Sequence, residues 1–99
     1  MMTQDEAFDY IIDIRDAIAL SKYSDSKGIP LLNVYQRMLC HKLISALYKV
    51  VEGRQEMPQY VLPLPLNLKL QNIIAAVKSM HWKRPEVYYD ESRMLKEKK

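Results

Sequence analysis

The sequence predicts an all-α fold. It reads as a small bundle of three helices, four if the tail forms a short C-terminal helix, with a long extended Pro/Leu-rich connection between helices 2 and 3. Three observations predict this. A capping-box pattern precedes an apolar run of helical period near the N-terminus. A long, mostly apolar stretch lies between a proline and a glycine. A third apolar face of helical period ends before Pro85.

The first element starts at Thr3. In Thr3-Gln4-Asp5-Glu6 the Thr3 hydroxyl can accept from the amide of Glu6, and the Glu6 carboxylate can reach back to the Thr3 amide. Asp5 and Glu6 also suit the positive end of the helix dipole. Phe8, Ile11, Ile12, Ile14 and Ile18 share a helical face, with Ala7, Ala17 and Ala19 at its margins. The pattern fades near Lys22, and Tyr23 to Gly28 has the composition of a loop.

The second element is expected to begin with Pro30 at its first helical position and to run to Glu52, with Gly53 as terminator. Its polar residues Asn33, Arg37, His41, Ser45, Lys49 and Glu52 form one stripe. The remaining apolar arc is wider than one neighbouring helix can cover, which marks this as the central helix, covered by the other two or by a second copy of the chain.

From Leu62 to Leu70 every even position is leucine. Strict period-2 alternation is the pattern of an extended strand with one buried face. Pro63 and Pro65 fall on the other alternate set and remove two hydrogen-bond donors, so one edge is disabled while the other can pair. The sequence holds no second strand candidate, so pairing would have to be intermolecular, which makes Leu62, Leu64, Leu66 and Leu68 the oligomer or strand-pairing candidates. At ~3.1 Å per residue an extended connection here reaches about 40 Å. That exceeds the ~35 Å of a helix over 30–52, and so allows helices 2 and 3 to run parallel.

The third element is expected to start between Pro65 and Leu68 with Asn67 as cap, and to present Leu70, Ile73, Ile74 and Val77. Pro85 disfavours helical geometry at Arg84 and ends it. Residues 1–84 therefore form a single helical domain, and 85–99 a basic tail with a short helix around Asp90–Lys96.

Composition restricts function. About half the chain is apolar (48%) and 27% is charged, the balance of a folded domain. With two glycines, glycine-rich phosphate loops are excluded. The single cysteine forbids an intrachain disulfide. No stretch has the ~18–20 uncharged apolar residues of a membrane span. The acidic start resembles neither a secretory signal nor a transit peptide, which points to a cytoplasmic protein. The net charge of +3 hides a division: residues 1–20 carry five acids against Arg15, while 21–99 carry fourteen bases against seven acids. Such asymmetry suggests head-to-tail association or a charged partner.

Three groups of residues are candidate sites. Asp5, Asp9, Asp13 and Asp16 recur at helical spacing and form an acidic docking face, or half of a divalent-metal site that a second subunit would complete. Lys78, His81, Trp82, Lys83, Arg84, Tyr88, Tyr89 and Arg93 interleave bases with aromatics, the chemistry of a protein hot spot or a nucleic-acid contact. The leucine alternation is the third. Cys40 and His41 are adjacent and point about 100° apart on a helix, so they make no nucleophile–base pair, and Cys40 is read as a buried inert thiol. With His81 they do not have zinc-ligand spacing, and Ser24 and Ser26 have no nearby base. No metal or other cofactor is expected. The reading that follows is a small non-enzymatic regulatory protein that binds a larger protein partner, as a homo-oligomer. The alternatives are a nucleic-acid binder using the basic tail region and a metal-dependent enzyme with an acidic site shared between subunits.

Overall fold

The computed structural model describes residues 1–23 and 32–79. Among them are three helices: α1 (Gln4–Tyr23), α2 (Val34–Val51) and α3 (Leu64–Ser79). No helix among the described residues is long and apolar enough to cross a membrane. The loop with Ser24 and Ser26, Pro30, and everything from Met80 onward, the expected tail helix included, lie outside the described residues.

α1 opens as its sequence dictates. The Thr3 amide donates to Glu6 Oε1 at 2.8 Å, and the Glu6 amide donates to Thr3 Oγ1 at 3.0 Å. The Thr3 amide, and after it the Thr3 hydroxyl, favours the Glu6 carboxylate and holds its pKa below the ordinary glutamate value.

α2 starts four residues later than Pro30. Leu32 and Asn33 are not helical, and Asn33 is the N-cap in extended geometry (φ −79°, ψ 176°). Its side chain accepts from the Gln36 amide at 2.8 Å, and Gln36 Oε1 accepts from the Asn33 amide at 2.9 Å. This reciprocal cap satisfies two donors at the helix start, which Pro30 as first residue could not do. Arg37 donates to the Leu32 carbonyl at 2.6 Å and ties the entering chain to the helix.

The end of α2 matches expectation. The Gly53 amide donates to the Val50 carbonyl at 3.0 Å, and the Arg54 amide to the Lys49 carbonyl at 2.9 Å. These are the paired bonds of a Schellman terminator, which needs a left-handed residue, and Gly53 has φ 78°.

α3 begins before the expected Asn67 cap. The Asn67 amide donates to the Pro63 carbonyl at 2.9 Å, so Leu64 and Pro65 form the first turn. Proline is at home there because first-turn amides lack intrahelical acceptors anyway. The strand reading of Leu62–Leu70 is therefore overturned: most of the alternation is helix. Leu62, Leu66 and Leu70 are buried, while Leu64 and Leu68 are exposed. A period of 2 contains a period of 4, so one leucine in two falls on the i, i+4, i+8 stripe and its neighbours face outward. Leu66 is core, and Leu64 and Leu68 have their backbone in helix rather than an open ladder.

α1, and not α2, is the central helix. It packs against both α2 and α3, which meet each other far less. Ala7, Phe8, Ile11, Ile12, Ile14, Ala17, Ile18 and Leu20 are all buried, together with Asp16 and Ser21. These positions go around the helix, so beyond its first turns α1 is enclosed on most sides. Buried Ser21 is satisfied by donating to the Ile18 carbonyl at 2.8 Å. Against α1 stand Cys40, Leu43, Ile44, Leu47, Val50 and Val51 of α2, and Leu66, Leu70, Ile73, Ile74 and Val77 of α3, in one core cluster.

Polar contacts fix the order of the elements. Arg15 donates to Tyr48 Oη at 2.8 Å and sits 5.9 Å from that ring's centroid. Gln71 donates to Tyr10 Oη at 2.8 Å, and Lys78 pairs with Asp13 at 3.4 Å, so partners ascend together along α1 and α3. Lys69 donates to Gln36 at 3.4 Å, while Lys42, further along α2, lies over the Tyr60 ring at 4.9 Å. Partners thus run in opposite order along α2 and the chain that follows it. The second and third helices are not parallel neighbours across a long crossover.

Candidate functional site

The acidic stripe does not remain one surface. Asp5 and Asp9 are exposed on the first turns of α1, Asp13 is half-buried in its pair with Lys78, and Asp16 is buried. The central position of α1 explains the gradient, because α2 and α3 close over it beyond its second turn. Asp16 is engaged in an interaction of its own within the fold and cannot belong to an exposed docking face. Among the described residues no three His, Cys, Asp or Glu side chains come together in a way that could hold a metal ion.

Cys40 is buried in α2, and desolvation pushes its thiol pKa up to about 11. A thiol so placed carries little thiolate near neutral pH. His41, its neighbour, is on the exposed side of the helix. Of the basic and aromatic candidates, Lys78 is engaged with Asp13, while His81, Trp82, Lys83, Arg84, Tyr88, Tyr89 and Arg93 lie outside the described residues.

The structure leaves a set of apolar side chains exposed on α2 and around the start of α3, of which the sequence reading singled out Leu64 and Leu68. Val34, Tyr35 and Met38 on the first turns of α2 are exposed by 65%, 66% and 61%, and Val61, Leu64 and Leu68 around the start of α3 by 81%, 68% and 56%. The Lys69–Gln36 contact joins α2 to α3, and the Lys42–Tyr60 contact joins α2 to the chain ahead of α3. Large aliphatic and aromatic side chains this exposed leave much of their apolar area in water. The signal in the sequence is the over-wide apolar arc of the second helix. α1 covers one side of that arc, and Val34, Tyr35 and Met38 belong to the surplus.

The charges within α2 and α3 have one sign. α2 contains Arg37, Lys42 and Lys49 and no acid, and α3 contains Lys69 and Lys78 and no acid. The five acids Asp5, Glu6, Asp9, Asp13 and Asp16 sit on α1. Comparison with protein-family models, with curated proteins and with solved structures finds no match.

Proposed function

We propose that this chain is a non-enzymatic interaction protein that acts by binding a larger protein partner through the outer surface of α2 and α3. The observation that carries this reading is the exposure of Val34, Tyr35 and Met38 on α2 and of Leu64 and Leu68 on α3, each by more than half. Exposed aliphatic and aromatic side chains at this density have a solvation cost that a bound partner relieves. Aliphatic side chains offer nothing to a phosphate backbone, so the same observation favours protein over nucleic acid. Symmetric self-association through this surface is disfavoured, because it would set the bases of two acid-free helix pairs against each other.

The test is a paired recovery from the native host with the full chain and its Met38→Glu/Leu68→Glu variant. Both side chains are exposed, so the variant should keep the helical circular dichroism and melting temperature of the parent within about 2 °C. Proteins recovered by the parent and lost by the folded variant are the expected result. Identical recovery by both chains refutes the reading.

A further inference from the structure

We draw no further inference here: the strongest candidate, the exposed face of the opening turns of α2 at Val34, Tyr35 and Met38, is an unpartnered apolar face, and nothing in the structure shows what covers it.

Discussion

Replacing Gly53 by alanine isolates the energy of the turn that ends α2. At φ 78° an L-residue meets steric cost between its Cβ and its own backbone, about 1 kcal/mol. The added Cβ would also stand 2.9 Å from Gln4 Nε2. That atom is the far end of an exposed, flexible side chain, so it moves aside at a cost of a few tenths of a kcal/mol. The loss should therefore come to about 1.5 kcal/mol. At roughly 4–8 °C per kcal/mol for a domain near this size, the melting temperature falls by about 6–12 °C. Urea denaturation should show a lower midpoint with an unchanged slope. Two companions separate the causes. In a Gln4→Ala background the Gly53→Ala loss should persist, because the dihedral carries it. Gly53→Asn should recover about half, because asparagine tolerates the left-handed region. A shift under about 2 °C, or a loss that vanishes once Gln4 is shortened, would refute the reasoning.

Two further outcomes are expected. Leu70→Ala removes a fully buried side chain and should cost about 2–5 kcal/mol in chemical denaturation, whereas Leu68→Ala, at a position 56% exposed, should cost under about 0.5 kcal/mol; equal losses would contradict the helical register. Cys40 holds its proton to about pH 11 when folded but titrates lower when unfolded, so its contribution to stability is intact at neutral pH and declines as pH rises from about 9 towards 11; the alkaline limb of a pH–stability profile should be shallower in Cys40→Ala, and a slope identical to the parent's would contradict the burial of the thiol.

Local chemistry was the legible part of this chain. Thr3 and Glu6 predicted their own bonds, and Gly53 predicted a left-handed terminator, because such motifs act within a few residues. The start of α2 was hidden by competition between two signals. Pro30 is a good first residue, but Asn33 and Gln36 form a reciprocal cap, and position 33 also fits the polar stripe of a helix begun earlier. The leucine alternation misled because even spacing satisfies a strand fully and a helix on every second member. Pro63 and Pro65, which looked like marks of an extended chain, are tolerated at a helix start. The central role of α1 was obscured by its five acids, which suggest a wet face. That inference holds for Asp5 and Asp9, weakens at Asp13 and fails at Asp16, because burial depends on which helices close over α1. The candidate surface was legible only as a surplus. An apolar arc too wide for one neighbour says that something must cover it, but which residues stay outside is decided by long-range packing.

The enclosure of α1 has a consequence for synthesis. This helix leaves the ribosome before both of the helices that cover it. Until Leu70, Ile73, Ile74 and Val77 have emerged, Phe8, Ile11, Ile14 and Ile18 have only part of their native surroundings. Until the third helix emerges, the nascent chain therefore carries an oily, incompletely sheltered segment, which suits recognition by hydrophobic-binding chaperones. Consolidation of the core must wait for the third helix, and a stall or truncation upstream of Leu66 would leave a product that α2 alone cannot shield.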